Sequence, residues 1–364
     1  MMIFETSCSD QVHNYAKSIV VLFKGNRKVL STSCINGGFR EDLTSIFNHD
    51  GKSGAGMACV LRAPTYEEHM MLIAEELGLD KEHTAGMSTA ASMENVSIKV
   101  KSFNGVAVTA IVTGGVEVNG GRAGDPSSYY EKDGEICKIN GTINIILIID
   151  ANLPEYTMAR SLITCTEAKT AALQELIAGS NYSTGIATGS GTDNAIIVCN
   201  VESPILLKNA GKHSKLGELI GVAVKDAVKE ALYKQTGLSP QFQHSILNRF
   251  KRYGVSENSL WDIYVEKERK EKTEKAMFIH NLHVIERENN LVTLTSLYIH
   301  LLDQIEWGLL NNDEAIWGAS IILEEIEKIL DVKGVKIENK EEENLMKNMI
   351  KAYEEVIAEG AGKR

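Results

Sequence analysis

The stretch from Gly185 to Asn194 concentrates residue types that could hold a polar ligand or take part in catalysis. It contains three hydroxyl side chains and one carboxylate, from Thr188, Ser190, Thr192 and Asp193. Gly189 and Gly191 permit positive φ, and backbone N–H groups beside such side chains suit an oxyanion. No lysine follows the glycines and residues 195–198 resemble a strand, so the stretch is not a phosphate loop. A plain hairpin turn is the alternative.

A lysine is predicted to point inward from the helix that precedes this loop. We predict that helix over residues 154–178, with Pro154 in its first turn. At about 100° per residue, its apolar stripe includes three polar residues, Thr166, Lys169 and Thr170. Burying an unpaired ammonium is costly, so Lys169 needs an acidic partner or a wet cavity, unless it extends along the stripe to solvent. Glu167 lies too far round the helix to be that partner easily.

Polar turns elsewhere in the chain could complete a pocket. They are Asn36-Gly37-Gly38, Asn48 at a strand exit, Ser88-Thr89, the glycine-rich loop 113–126 and Asn144 at the start of an apolar strand. Together with Thr166 and the Gly185 loop they predict a pocket rich in hydroxyls and amides. Such a pocket fits hydrolysis by a hydroxyl nucleophile or by water activated at Asp193 or Glu167, and the residues alone leave both open.

Known catalytic and metal-binding patterns do not settle the chemistry. The chain has no GxSxG elbow, HExxH helix or Walker lysine. His49 and His213 are the histidines near the polar turns. Because no clustered ligand spacing is present, we expect no metal site, and a metal site built from His49, His213 and Asp193 is the alternative. His280, His283 and His300 are expected to be structural.

Composition limits the classes of partner. Of the 364 residues, 43% are hydrophobic and 24% charged, and the net charge of -11 argues against a nucleic-acid binder. No apolar run approaches ~20 residues, so we expect no membrane span. The N-terminus lacks the basic start and apolar core of a signal peptide. The six cysteines contain no CxxC pair, which predicts buried thiols in a reducing compartment and hence a cytoplasmic protein.

The order of predicted elements indicates an α+β fold. Hairpins are predicted around Gly25-Asn26 and Asn104-Gly105, and helices near residues 66–78, 154–178 and 214–235. We therefore predict a layered domain over residues 1–236, with a mixed, largely antiparallel sheet packed against helices. After the boundary at 237–240, residues 237–364 should form a mainly helical C-terminal region, with helices over 277–307, 314–331 and 338–357.

Several motifs, taken in order, resemble the adenosylcobinamide amidohydrolase (CbiZ) family over roughly residues 15–235. They are Asn36-Gly37-Gly38, Ser88-Thr89-Ala90-Ala91, the loop 113–126, Gly141-Thr142-Ile143-Asn144, Thr164-Cys165-Thr166-Glu167-Ala168-Lys169 and Ala187-Thr188-Gly189-Ser190-Gly191-Thr192-Asp193. The last two are the most specific and look like the family's TATEAK-type and ATGTGTD-type signatures. Ser190 stands where a threonine is usual and Cys165 where a small residue is usual.

The resemblance implies hydrolysis of the amide that links the aminopropanol arm to the corrin ring of adenosylcobinamide. The product would be adenosylcobyric acid, in corrinoid (cobalamin) salvage, with the cobalt corrinoid entering as substrate and no cofactor required. In this hypothesis Asp193 or Glu167 activates water or the Thr192 hydroxyl, and His213 protonates the amine. Amides of residues 189–191, together with Lys169, hold the oxyanion. The substrate-binding residues would be Asn36, Gly37, Gly38, Asn48, Ser88, Thr89, Asn144, Thr166, Thr188, Gly189, Ser190 and Gly191.

Two further expectations concern alternatives and partners. A non-catalytic corrinoid-binding protein could have the same pocket. We expect no nucleic-acid or membrane partner, and the helical C-terminal region could support a homo-oligomer.

Overall fold

The computed structural model describes residues 1–52, 60–127, 142–267, 273–337 and 344–363. The chain divides into two compact units, residues 1–239 and 240–364. The first unit contains all of the predicted site residues.

Thirteen strands and three α-helices are described in the first unit. The strands are β1 Met2–Glu5, β2 Gln11–Tyr15, β3 Ser18–Leu22, β4 Arg27–Ser31, β5 Gly38–Arg40, β6 Ser45–Asp50, β7 Thr84–Thr89, β8 Ser97–Phe103, β9 Val106–Gly114, β10 Gly120–Gly121, β11 Ile143–Ile149, β12 Gly189–Ser190 and β13 Asn194–Asn200. The helices are α1 Tyr66–Glu76, α2 Glu155–Glu175 and α3 Lys215–Thr236.

These strands form two main sheets and one short ribbon. The first sheet has the order β1-β2-β3-β6-β7 and the second has the order β5-β4-β13-β11-β9-β8, while β10 pairs with β12. Neighbours are antiparallel except for the pairs β6–β7 and β11–β13, which are parallel. The prediction of an α+β fold with a mixed, largely antiparallel sheet is confirmed, with the difference that the strands are divided between two sheets.

The helices and sheets of the first unit form four layers, and its apolar side chains are packed between them. Strand alternation sends Phe47 of β6 toward α1 on one side of the first sheet, while Ile46 packs against Ile146 of the second sheet. The other face of the second sheet, including Leu147, packs against α2 and α3. The order of layers is therefore α1, first sheet, second sheet, and α2 with α3.

One predicted hairpin is present and the other is wrong. Asn104 and Gly105 have φ of 48° and 82° and join β8 to β9, as predicted. By contrast, β3 and β4 flank Gly25-Asn26 but belong to different sheets. The strand β3 instead pairs with β2 through Ala16 and Lys17, which both adopt positive φ. Alanine and lysine are not typical turn residues, so the sequence gives no indication of this turn.

The second unit is helical. Its helices are α4 Ile246–Phe250, α5 Glu257–Lys267, α6 Lys275–Ile285, α7 Asn289–Glu306, α8 Asn312–Leu330 and α9 Leu345–Lys363. The predicted helix over 277–307 is divided into α6 and α7. Phe250 stacks on Tyr353, with ring centroids 4.2 Å apart, in the core of this unit. Within the described residues, no helix is both long and apolar enough to cross a membrane.

The cysteines are less uniform than predicted. Cys165 and Cys199 are buried thiols, and burial raises the pKa of Cys165 to about 12. Cys8 is half-buried. Cys34 is exposed because it lies in the turn between β4 and β5, so the prediction of a buried thiol is wrong there. Cys59 and Cys137 lie outside the described residues.

Candidate active site

The parallel pairing of β11 with β13 brings two polar segments to one edge of the second sheet. Asn144 is in register with Asn194, so Ile143 lies beside Asp193 and Thr142 lies beside Thr192. The Thr142 hydroxyl donates a hydrogen bond to the Thr192 carbonyl. The Ile143 amide donates to Asp193 Oδ1 at 3.0 Å. The loop before β13 is therefore attached to the start of β11.

The Asp193 carboxylate forms an ion pair with Lys169 that is largely shielded from solvent. Lys169 Nζ contacts Asp193 Oδ2, and the two side chains are 11% and 15% exposed. Lys169 thus points inward from α2 and finds its acidic partner in the glycine-rich loop. Because both charges are mostly removed from water, loss of one partner would leave the other poorly solvated.

Both oxygens of the Asp193 carboxylate accept further hydrogen bonds from its own loop. Ser190 Oγ donates to Oδ1 at 2.6 Å, and the Ser190 amide lies 3.0 Å from Oδ1 and 3.1 Å from Oδ2. With Ile143 and Lys169, the donors occupy the lone pairs of the carboxylate. Asp193 therefore has no lone pair to spare for a water molecule unless one of these donors moves away.

Gly189 is placed against the ion pair. A Cβ atom at this position would lie 2.7 Å from Lys169 Nζ and closer still to Asp193 Oδ2. The loop on either side is held by the β10–β12 ribbon, in which Gly121 pairs with Gly189. Only glycine allows the backbone to approach the two charged groups so closely.

The other loop residues make contacts that fix the backbone. Thr188 Oγ1 accepts a hydrogen bond from the Ala123 amide at 2.9 Å, and the Thr188 carbonyl accepts one from Thr170 Oγ1 at 3.1 Å. The Gly191 amide donates to the Asn119 carbonyl at 3.3 Å. Thr170 and Asn119 were not among the predicted site residues, although Thr170 was one of the three polar residues in the stripe of α2 and Asn119 lies in the glycine-rich loop 113–126.

Asn48 and Asn144 are paired with each other inside the unit. Asn144 Nδ2 donates to Asn48 Oδ1 at 2.7 Å and to the Ser88 carbonyl at 3.0 Å, while Asn48 Nδ2 donates to Thr113 Oγ1 at 2.8 Å. The two residues are 3% and 1% exposed. Their amides link the first sheet to the second. Thr142 Oγ1 lies 3.3 Å from Asn144 Oδ1, so this network is contiguous with the Asp193 loop.

The remaining predicted binding residues lie away from this edge of the second sheet, or their side chains form hydrogen bonds with backbone groups. Asn36 Nδ2 donates to the carbonyls of Lys81 and Thr84, at 2.6 and 2.8 Å, where β7 begins. Gly37 has no room for a Cβ atom beside the Ser33 carbonyl, and Gly38 has a φ of 78°. At the far end of β7, Thr89 Oγ1 accepts from the Ala91 amide at 2.9 Å.

Glu167 and His213 are not brought to the Asp193 carboxylate. Glu167 lies about 200° round α2 from Lys169, and its carboxylate binds Lys212 Nζ at 2.9 Å. Thr166 is exposed on the same outward side of the helix. His213 is exposed in the turn before α3 and makes no hydrogen bond or ion pair with any described residue.

His49 is also separated from the Asp193 loop. It follows Asn48 in β6, so its side chain points to the α1 side of the first sheet. Its Nδ1 lies 2.8 Å from Ser18 Oγ, and burial lowers the pKa of this imidazole to about 4. In the part of the chain that the structure describes, no three His, Cys, Asp or Glu side chains are grouped to hold a metal ion.

Comparison with known proteins gives a consistent family match. A family model described as adenosylcobinamide amidohydrolase (CbiZ) matches residues 3–240. The chain is 38% identical over 231 residues to the uncharacterized protein MJ1613 of Methanocaldococcus jannaschii, covering 60% of this chain and 87% of that protein. It is 30% identical over 228 residues to an adenosylcobinamide amidohydrolase of Methanosarcina mazei, covering 60% of this chain and 96% of that protein.

Among solved structures, the crystal structure of the PH0078 protein from Pyrococcus horikoshii OT3 aligns with 70% of this chain and 91% of that one. The sequence identity is 14% and the TM-score 0.31, which is too low to support an argument about fold or function.

Proposed function

The chain belongs to the adenosylcobinamide amidohydrolase family, and from this premise we propose that it hydrolyses the aminopropanol amide of adenosylcobinamide to give adenosylcobyric acid. The observation that carries the proposal is the shielded Lys169–Asp193 ion pair inside a glycine-rich loop with hydroxyl side chains. Amide hydrolysis needs a nucleophile, a group that stabilises the tetrahedral oxyanion, and a proton for the departing amine. The loop and α2 together offer candidates for the first two, and the carboxylate that takes the proton of the nucleophile can supply the third.

Lys169 is the better candidate for oxyanion stabilisation. The Ser190 amide is engaged by Asp193 and the Gly191 amide by the Asn119 carbonyl. These two loop amides are therefore committed, whereas the Lys169 ammonium has three donor hydrogens, of which its contact with Asp193 uses one. A fixed positive charge in a site shielded from water stabilises a developing negative charge more strongly than it would in bulk solvent.

Ser190 is the better candidate for the nucleophile. Its hydroxyl donates to Asp193 at 2.6 Å, so its proton can pass to that carboxylate as Oγ attacks the amide carbon. Asp193 then passes that proton to the amide nitrogen, the carbon–nitrogen bond breaks and the amine leaves. Water attacks the ester on Ser190 and gives a proton to Asp193, which returns it to Ser190 Oγ as the acid is released. We assign the role to Ser190 rather than to Thr192 because of this contact between the Ser190 hydroxyl and the carboxylate. Glu167 and His213 have no contact with this loop that supports a role in the reaction, and we leave both out of it.

A product assay with matched variants tests this proposal. Purified protein is incubated with adenosylcobinamide, and the products are identified by mass spectrometry. We expect adenosylcobyric acid and free aminopropanol from the wild type, substantial activity in Ser190→Thr, and a loss of at least about 100-fold in Ser190→Ala. An unchanged corrinoid in a stable complex would favour a non-catalytic binding protein. Full activity in Ser190→Ala would indicate that the nucleophile is water or the Thr192 hydroxyl.

The setting of the reaction is part of the same proposal. We place it in corrinoid salvage in the cytoplasm, with the cobalt corrinoid as substrate and no resident cofactor, metal, nucleic acid or membrane needed. A homo-oligomer through residues 237–364 stays a prediction.

A further inference from the structure

The outward face of α2 forms a groove that the proposed reaction leaves without a role. The groove has a volume of about 540 Å³. Seven of its eight lining residues come from α2, and the eighth is Lys212 in the turn before α3. Ile163, Glu167, Thr170 and Gln174 recur every three or four residues along α2, so they share one face of the helix.

The lining of the groove combines apolar surface with uncharged hydrogen-bonding groups. Ile163 is 48% exposed there. Thr166 and Thr170 donate their hydroxyl protons to the carbonyls of Leu162 and Thr188, which leaves their oxygen lone pairs to accept from a ligand. The exposed carboxamide of Gln174 can both donate and accept. These groups match a ligand that has apolar surface and carries amide groups.

The charge in the groove argues against an anionic ligand. Lys212 is the cation in the lining, and it is already paired with Glu167 at 2.9 Å. The pair is net neutral, so nothing in the groove compensates the charge of a phosphate or a carboxylate. A neutral, amide-bearing ligand meets no such penalty.

The groove adjoins the loop of the candidate active site at Thr170. Thr170 lines the groove and donates to the Thr188 carbonyl, in the loop that ends at Asp193. The preceding residue, Lys169, turns inward to the Asp193 carboxylate. A ligand seated in the groove therefore lies next to Thr170, the residue through which this face of α2 contacts the loop.

We propose that this groove binds the corrin ring edge and its amide side arms, while the aminopropanol arm extends past Thr170 to Ser190 and Lys169. The inference rests on the proposed function, since it identifies the occupant from that reaction. Ile163 would contact the ring, and Gln174 would pair with an amide arm. Neither residue touches the reacting atoms, so both should affect substrate binding rather than the chemical step.

Steady-state kinetics of adenosylcobinamide cleavage test the assignment, together with equilibrium dialysis of adenosylcobinamide in the slow-cleaving Ser190→Ala background. We expect Ile163→Glu to raise KM and Kd about tenfold and Gln174→Ala about threefold, with kcat within a factor of two. Ile163→Leu, which keeps an apolar side chain at this position, should bind as tightly as the wild type. The matched control is Val222→Glu, which puts the same carboxylate on an exposed apolar position of α3, 38% exposed and outside the groove. Thermal unfolding of each variant checks that the fold is kept.

The possible outcomes test the proposed groove and the proposed reaction independently of each other. Cleavage with unchanged KM and Kd in Ile163→Glu and Gln174→Ala would overturn the groove and leave the proposed function standing. Corrinoid binding without cleavage, weakened by the same variants but not by Val222→Glu, would overturn the reaction and support the groove. A wild-type protein that neither binds nor cleaves adenosylcobinamide would overturn both.

Discussion

Replacing Gly189 with alanine should disrupt the site, because the added methyl group enters the space occupied by the ion pair. Its carbon would lie 2.7 Å from Lys169 Nζ and closer to Asp193 Oδ2. The φ of Gly189 is not in the left-handed region, so alanine is not excluded by backbone strain. Any effect of Gly189→Ala should therefore come from displacement of the two charged groups.

The size of the effect follows from what can move. A normal contact of about 3.5 Å between a carbon and the ammonium nitrogen is about 0.8 Å longer than this one. Lysine side chains are flexible, but the end of this one is held by Asp193, which is itself held by Ser190 and Ile143. Crowding of this kind costs about 1–3 kcal/mol of unfolding free energy. Misplacement of catalytic groups by up to an ångström lowers kcat by about 100-fold.

Gly191→Ala in the same loop is the control for a general loss of backbone flexibility in the loop. There the nearest atoms are Asn119 Oδ1 and Nδ2, at 3.1 and 3.2 Å, and they belong to an uncharged side chain. We expect Gly191→Ala to cost less than about 1 kcal/mol and to keep most of the activity. Thermal unfolding and initial rates of adenosylcobinamide cleavage measure both variants. Equal losses in the two variants, or wild-type behaviour in Gly189→Ala, would refute the reasoning.

Three further predictions concern the supports of the site and the core. Thr142→Val removes the buried hydroxyl that ties the loop to β11 and should cost about 1–2 kcal/mol in denaturant unfolding, whereas Thr142→Ser should be near wild type. His49 has a folded pKa of about 4, below its unfolded value, so stability should fall by up to about 3 kcal/mol as the pH drops from about 6.5 to 4. Stability curves against pH should be flatter for His49→Gln and unchanged for the exposed His213→Gln. Asp10→Ala leaves the Arg27 guanidinium, 2% exposed, without its carboxylate, and should lower the unfolding free energy by about 3–5 kcal/mol; a loss below 1 kcal/mol would contradict this.

Periodicity and burial cost pointed to the central feature of the candidate site. The apolar stripe of α2 placed Lys169 on its inward side, and the cost of burying an ammonium called for an acid or a wet cavity there, unless the side chain extended to solvent. The polar loop before β13 held Asp193, which proved to be that acid. Both steps used local pattern and charge, which are properties that a single sequence contains.

Strand pairing and the direction of side chains were harder to predict. The pairing of β3 with β2 depends on a turn at Ala16 and Lys17 that carries no turn-forming residue. Asn48 and Asn144 were chosen because polar groups at strand ends often meet ligands. In the structure they pair with each other, because two sheets that meet face to face must satisfy the amides they bury. Which buried amide finds a protein partner is decided by tertiary contacts, not by the residue type.

The direction of side chains also explains why α2 contributes residues to two different surfaces. Lys169 and Thr170 are neighbours in sequence but lie about 100° apart on the helix, so one reaches the carboxylate inside and the other lines the groove outside. Glu167 is a further step round the helix and pairs with Lys212 at the groove. A short motif on a helix is therefore divided between two faces, and the roles of its residues follow from those faces. Under the proposed function, Lys169 would act in the reaction, and Thr166, Glu167 and Thr170 would contact its substrate.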